Sequence, residues 1–150
     1  MRFTIVVFAL LAACACQRAP SQLTYEGANA ATQAAKIAHG KRLADVLDCT
    51  GCHGANLQGT DLADKPEDGA MFAPNISLLL SRYSDADLDR LIRKGAPKDG
   101  REFWFMPVES FQFLSDADLS ALISYLRTVK AGGEPLPPLR TRRLCHLRRP

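Results

Sequence analysis

The sequence of 150 residues lacks several features that mark common protein classes. No apolar run approaches the ~20 residues that a membrane-spanning helix needs, and no segment alternates apolar and polar residues as a strand does. Five cysteines are too few and too unevenly spaced for a disulfide scaffold. With 47% apolar and 23% charged residues, the composition excludes disordered and fibrous chains and indicates one ordinary domain.

Positive charge is scarce outside the C-terminal tail. Five of the 19 Lys and Arg residues lie among the last eleven positions, whereas all 16 acidic residues precede residue 135. The body of the chain is therefore mildly acidic, and we expect no nucleic-acid partner. The Pro/Arg-rich tail at 135–150, which contains Cys145, is interpreted as an unstructured end, with contact to a partner or an anionic lipid as the alternative. Four acids are either solvated loop charges or a contact for a basic partner: Asp61, Asp64, Glu67 and Asp68.

The N-terminus has the pattern of an export signal. A short positive start precedes an almost wholly apolar run that ends at Ala13. The residues Leu-Ala-Ala-Cys that end at Cys14 resemble the lipobox of bacterial lipoproteins, in which the cysteine is lipidated. We predict a signal peptide at 1–13, a flexible tether at 14–29, and anchoring to the periplasmic side of a bacterial membrane through Cys14. An ordinary signal-peptidase site at the same place, which leaves a soluble periplasmic protein, is the alternative.

Three helices are predicted within a domain at 30–134. The first begins near Ala30 and has a narrow apolar stripe that includes Gly40. The region 48–83 has no sustained period and is rich in Gly and Pro, which predicts a long loop. So little regular structure has difficulty offsetting the conformational entropy of folding with its own core. The pattern therefore predicts a large apolar cofactor in the middle of the domain.

The other two helices begin with the same five residues, Ser-Asp-Ala-Asp-Leu, at Ser84 and at Ser115. A serine three positions before an acid is the capping-box pattern of a helix N-terminus. The first of these helices is predicted to stop at Gly95, and the second to continue to Val129 before Gly132 stops it.

The residues Cys49-Thr50-Gly51-Cys52-His53 form the C-x-x-C-H pattern of covalent haem attachment. Two thiols on one turn reach the two vinyl groups of one porphyrin, and the next residue places an imidazole under the iron. Zinc would need a second pair of ligands, a thioredoxin-like dithiol would need a βαβ context, and a disulfide between such neighbours would be strained. The motif predicts one covalent haem c held by Cys49, Cys52 and His53.

Met106 is the predicted sixth ligand of the iron. It precedes Pro107, which stiffens the backbone, and aromatic residues around it can exclude water from that side of the iron. Met71 is the alternative methionine, although it is more easily interpreted as a core residue. His39 is interpreted as a helix-surface histidine rather than as a ligand. The aromatic residues are Phe103, Trp104, Phe105 and Phe111.

Together these residues resemble a class I cytochrome c, and more narrowly the haem c domains in cytochrome subunits of periplasmic membrane-bound dehydrogenases. The resemblance implies an all-α fold of three main helices and long loops around one haem, with the terminal helices crossing at Gly40 against Tyr125. It also implies that the Pro74 carbonyl accepts the ring N–H of His53, whereas a simple turn former is the alternative role of Pro74. The matching segments run in family order over residues 34–129, and include Gly40, 49–53, 72–77, 84–88, 95–100, 106–107 and 114–129.

The resemblance implies a monohaem carrier of single electrons, not an enzyme. His/Met ligation raises the reduction potential relative to bis-His sites. This suits transfer from a dehydrogenase or quinol-oxidising complex to a terminal acceptor, so the expected partners are redox proteins. The dehydrogenase subunits usually have several haem domains, and the single motif here favours a free or tethered carrier. The alternatives are a haem c subunit of a membrane-bound oxidoreductase complex and a haem-based gas or redox sensor.

Overall fold

A computed structural model describes residues 22–63, 71–100, 103 and 105–136 of the chain, which form an all-α fold with little sheet. The helices are α1 (Gln33–Val46), α2 (Cys49–His53), α3 (Asp85–Lys94), α4 (Val108–Phe111) and α5 (Asp116–Leu126), the strands are β1 (Thr60–Asp61) and β2 (Phe72–Ala73), and a 3-10 turn spans Leu80–Arg82. None of the helices in the described residues is long and apolar enough to cross a membrane. Several predictions concern residues outside those described: the signal segment, Cys14, Asp64, Glu67, Asp68, Trp104 and the tail from residue 137.

Helices α1 and α5 pack against each other at the centre of the core. Gly40 permits their close approach, because a Cβ at this position would overlap the backbone carbonyl of Ala121 and lie 2.9 Å from the Cβ of Tyr125. Leu43 and Leu122 are buried beside this crossing, and full burial of a leucine side chain contributes about 1.5–3 kcal/mol. Gly40 therefore lies against the face of α5 that the resemblance implied.

The ends of α1 and α3 follow their capping signals. Ser84 caps α3 in a complete capping box with Asp87, and Gly95 ends the helix in the left-handed conformation, as predicted. The N-terminus of α1 differs from the prediction near Ala30. The side chain of Thr32 accepts the Ala35 N–H, so the helix begins at Gln33.

Helix α5 begins after Ser115 as predicted but ends earlier than expected, at Leu126. The N–H groups of Thr128 and Val129 donate to carbonyls three residues back, which tightens the chain and ends the α-helix. The Arg127 guanidinium then donates to the Asp85 carboxylate at 2.7 Å and ties this end of α5 to the start of α3. Val129 still packs against the core, so the apolar stripe is longer than the helix.

Residues 22–29 fold onto the domain, although the sequence assigns them to the tether. Leu23 forms a backbone bridge with Leu114, and the Tyr25 N–H donates to the carboxylate of Asp118 at 2.9 Å. These partners are distant in the sequence, so the local composition does not reveal them. The predicted tether is therefore too long, and the folded domain includes the chain from residue 22.

His39 is buried, which corrects its interpretation as a helix-surface residue. Its Nε2 lies 2.7 Å from Oδ1 of Asp118, and Arg42 donates to its Nδ1 at 3.1 Å. Because Nδ1 accepts a hydrogen bond, Nε2 carries the ring proton and donates it to the carboxylate. Both ring nitrogens are engaged, and His39 has none left to bind a metal.

Strands β1 and β2 lie within the region that the sequence predicts as a long loop. They form one antiparallel pair in which Thr60 lies opposite Ala73 and Asp61 opposite Phe72. Strands of two residues are too short to show an alternating pattern. The pair matters for the site because Pro74 follows β2 directly and is delivered to α2.

Candidate functional site

Helix α2 places Cys49 and Cys52 one turn apart. Asp48, in the left-handed conformation with φ of 60°, redirects the chain between α1 and α2. Both thiols are free and half-buried. Gly51 leaves space for the Asp48 carboxylate, which would overlap any Cβ at that position.

The environment of these thiols does not activate them. Burial raises the pKa of Cys49 to about 11, and burial together with the Asp48 carboxylate raises the pKa of Cys52. A dithiol oxidoreductase depends on a lowered thiol pKa, which argues against the thioredoxin-like alternative. In the part of the chain that the structure describes, no cluster of three or more His, Cys, Asp or Glu side chains is arranged for a metal, so the zinc alternative gains no support. The pair fits static attachment points better than a redox switch.

His53 ends α2, and its ring is oriented by the backbone. Its Nδ1 lies 2.9 Å from the carbonyl oxygen of Pro74 and donates a proton to it. The ring proton is therefore on Nδ1, and Nε2 keeps a free lone pair for a metal. Burial lowers the pKa of His53 against the opposing effect of the Pro74 carbonyl. The ring is thus favoured in its neutral form, which is the form that binds metals.

Met106 lies between α3 and α4 and packs, half-buried, against the core. Pro107 directly after it is the N-cap of α4. Of the aromatic residues predicted to exclude water, Phe111 is buried, whereas Phe105 is 69% exposed and does not serve that role here. Met71 lies beside β2, where its carbonyl accepts the Leu62 N–H at 2.6 Å. Its backbone is therefore next to the strand that delivers Pro74, rather than opposite the histidine.

The donor groups fit a covalently attached haem. Two free thiols lie on one turn, a neutral imidazole follows them with its Nε2 unengaged, and a half-buried thioether is present in a separate loop. Thioether attachment and His/Met ligation need these groups. Cys49 and Cys52 would hold the group, and His53 and Met106 would bind its iron.

Asn75 is a residue at this site that the sequence does not reveal. It is 4% exposed and follows Pro74 directly. Its amide nitrogen donates to the carbonyls of Gly132 and Glu134, at 2.8 and 3.1 Å. These partners lie more than 50 positions away in sequence, so no local signal identifies them. The dipeptide Pro-Asn alone suggests a turn.

The fold and the donor groups define a small, mostly helical haem c protein of the electron-transfer class. The family model described as "Cytochrome c" matches residues 37–130, more than half of the chain, and the chain belongs to this family. Its cofactor is accordingly covalently bound haem c, and its role is electron transfer.

A curated relative is one of the subunits of the nicotinate dehydrogenase of Pseudomonas putida, which is 33% identical over 101 residues. The match covers 62% of this chain and 8% of the relative. The chain therefore resembles one small part of a much longer dehydrogenase subunit. This agrees with the resemblance to haem c domains of dehydrogenase cytochrome subunits.

Proposed function

We propose that this protein is an exported, lipid-anchored monohaem cytochrome c. It carries single electrons on the periplasmic side of a bacterial membrane, from a dehydrogenase or quinol-oxidising complex to a terminal acceptor. The observation that carries the proposal is the α2 turn, where two free thiols precede an imidazole whose Nδ1 donates to the Pro74 carbonyl. This arrangement leaves Nε2 of His53 free to bind iron.

The residues of the chain set the properties of the site. Bound haem supplies a one-electron ferric/ferrous couple. The Pro74 carbonyl holds the Nδ1 proton of His53 and increases the donor strength of Nε2. The thioether of Met106 is a soft, neutral ligand that favours the reduced state. Because both axial positions are occupied by side chains, the site has no open position for oxygen or peroxide chemistry.

Carbon monoxide binding separates the carrier from a gas sensor. The carrier has Met106 in the sixth position, so the reduced protein should bind carbon monoxide slowly or not at all. The measurement is rapid mixing of reduced wild-type protein with carbon monoxide. Fast, saturable binding would contradict the carrier and favour a sensor with a labile ligand.

A second candidate function is a haem c subunit within an oxidoreductase complex. The observation that favours it is the match to part of the nicotinate dehydrogenase subunit. Extraction of native membranes with mild detergent, followed by size-exclusion chromatography, separates the two functions. A stable stoichiometric partner chain supports the role within a complex, whereas elution as a single small protein supports the carrier.

The lipid anchor predicts the behaviour of a Cys14→Ser variant. Without the thiol at residue 14, acylation cannot occur, so the exported protein should move from the membrane fraction to the soluble fraction. A Cys16→Ser variant is the matched control, since it removes a thiol two positions away and should stay with the membrane. Fractionation of the Cys14→Ser variant with the membrane would contradict lipidation of Cys14.

A further inference from the structure

The peptide that contacts His53 is held by a fully bonded side chain on its C-terminal side. Besides its two donated hydrogen bonds, Asn75 accepts one from the Ser77 hydroxyl at 2.6 Å and a longer one from the Leu78 N–H at 3.4 Å. Ser77 is 2% exposed, and its N–H donates to the Leu57 carbonyl. All donor and acceptor positions of the Asn75 amide are therefore engaged in a dry environment.

The distant partners of Asn75 belong to one segment that follows α5. We call residues 132–136 the C-terminal strap. The strap passes close to Gly59, where a Cβ would lie 2.8 Å from the Ala73 carbonyl and would also collide with Leu136. The N–H of Gly59 in turn donates to the carbonyl of His53 at 2.7 Å. The strap thus lies over the junction between the turn after α2 and the end of β2.

We propose that Asn75 and the C-terminal strap are a positioning device for the His53 imidazole and thereby tune the reduction potential of the site. Asn75 fastens the Pro74–Asn75 peptide to the carbonyls of Gly132 and Glu134, and so holds the Pro74 carbonyl on Nδ1. Strands β1 and β2 hold the same peptide from its other side. The inference rests on the proposed role of His53 as an iron ligand.

The direction of the effect follows from the hydrogen bond. A carbonyl that accepts the Nδ1 proton makes the imidazole more electron-rich, which favours the ferric state and lowers the potential. Loosening the strap lengthens this bond, so the potential should rise. Loss of a partner that orients a metal-binding histidine typically changes affinity 10–100-fold. Because Pro74 would be displaced rather than removed, we expect a change of about threefold to tenfold in favour of the reduced form.

Two variants loosen the strap by different routes. Asn75→Ala removes the amide that binds the strap. Gly133→Ala leaves Asn75 in place, but strains a residue at φ of +68° and puts a Cβ 3.3 Å from Nδ2 of Asn75. Gly100→Ala is its matched control, since Gly100 has the same φ of +68° and no described atom within 4 Å of the added Cβ. Ser115→Ala is the control for Asn75→Ala, because it removes a buried hydrogen bond at the N-terminus of α5.

The experiment is a redox titration of each holoprotein, combined with NMR measurement of the exchange of the His53 Nδ1 proton with solvent. Both strap variants should raise the potential, by up to about 59 mV for a tenfold one-electron change, and should accelerate exchange of that proton. Both controls should leave these two quantities unchanged. If Asn75→Ala does not fold, the comparison of Gly133→Ala with Gly100→Ala decides the question.

Two results would overturn the inference: an unchanged potential in haem-loaded strap variants, or an equal shift in the controls. Wild-type protein without covalent haem or without His53 ligation would instead contradict the proposed function. The two failures are therefore distinguishable.

Discussion

At the scale of single residues, the acceptor that orients His53 is a backbone carbonyl rather than a carboxylate. A carbonyl does not titrate, so the hydrogen bond keeps the same strength over the physiological pH range. It also adds no charge next to the ring. The strength of the histidine as a ligand is therefore set by the distance from Nδ1 to the Pro74 oxygen, and anything that moves Pro74 changes it.

The other buried histidine, His39, pairs with a carboxylate and should make stability depend on pH. Burial alone would raise the pKa of Asp118, but hydrogen bonds from His39, Tyr25 and Ser115 outweigh it and lower the pKa. A lowered folded-state pKa gives stability that is fully present above the unfolded value of ~3.9 and is lost as pH falls through the folded value. Asp118→Asn should therefore cost about 3 kcal/mol near pH 7 and progressively less below about pH 4.

Urea unfolding at a series of pH values measures this prediction. The quantity to compare is the difference in unfolding free energy between the wild type and Asp118→Asn, which isolates the carboxyl from other titrating groups. A difference that stays constant from pH 7 to pH 3 would contradict the assignment of the carboxylate to this network.

The residues of the site differ in how far the sequence predicts them. Cys49, Cys52 and His53 are neighbours, so their joint chemistry is visible in the sequence. The proposed partnership of Pro74 with His53 comes only from the resemblance, because 21 positions separate them. The pairing of His39 with Asp118 spans 79 positions and was missed. Helical periodicity identifies faces, but it does not identify the partner across a face.

At the scale of elements, the packing of α1 on α5 depends on the absence of a side chain at Gly40. Gly40→Ala would place a Cβ against the Ala121 carbonyl, and backbone in a helix has little freedom to move away. The helices would have to separate, so we expect a loss of about 3 kcal/mol in the free energy of unfolding. Thermal or urea unfolding checks this. In an open helix the same change stabilises by about 1 kcal/mol, and a gain of that kind would contradict the close crossing.

The two serine caps share five residues of sequence but have different surroundings. Ser84 is exposed, whereas Ser115 is 6% exposed and donates to the buried carboxylate of Asp118. Ser84→Ala should cost about 1 kcal/mol, as is typical of an N-cap. Ser115→Ala should cost about 2 kcal/mol, because it also removes a buried hydrogen bond to a charged group. Urea unfolding of both variants decides this, and equal losses would contradict the distinction.

The elements also differ in how far they follow local sequence. The start of α3 is predicted because Ser84 and Asp87 contact each other within one turn. The end of α5 at Leu126 depends on hydrogen bonds of Arg127 to the start of α3, which no local pattern contains. Strands β1 and β2 have only two residues each, so their pairing is a tertiary event.

At the scale of the whole molecule, the contacts of residues 22–29 limit how far the proposed anchor reaches. Leu23 is already bridged to Leu114. About eight residues separate Cys14 from the folded domain, and a fully extended chain spans at most ~3.6 Å per residue. The domain would therefore remain within about 30 Å of the membrane surface. An anchored carrier of this kind serves partners in the same membrane.

The haem held by α2 and its two axial side chains are central to the proposed electron transfer. The most direct test is the absorption spectrum, oxidised and reduced, of wild-type protein and Met106→Ala produced with haem-attachment machinery. The wild type should show a covalent, low-spin haem c spectrum with the weak far-red band of ferric iron bound to methionine sulfur. Met106→Ala should keep the covalent haem, lose that band and become high-spin or water-ligated. An unchanged spectrum in Met106→Ala would contradict Met106 as ligand, and wild-type protein without covalent haem would contradict the proposed function as a whole.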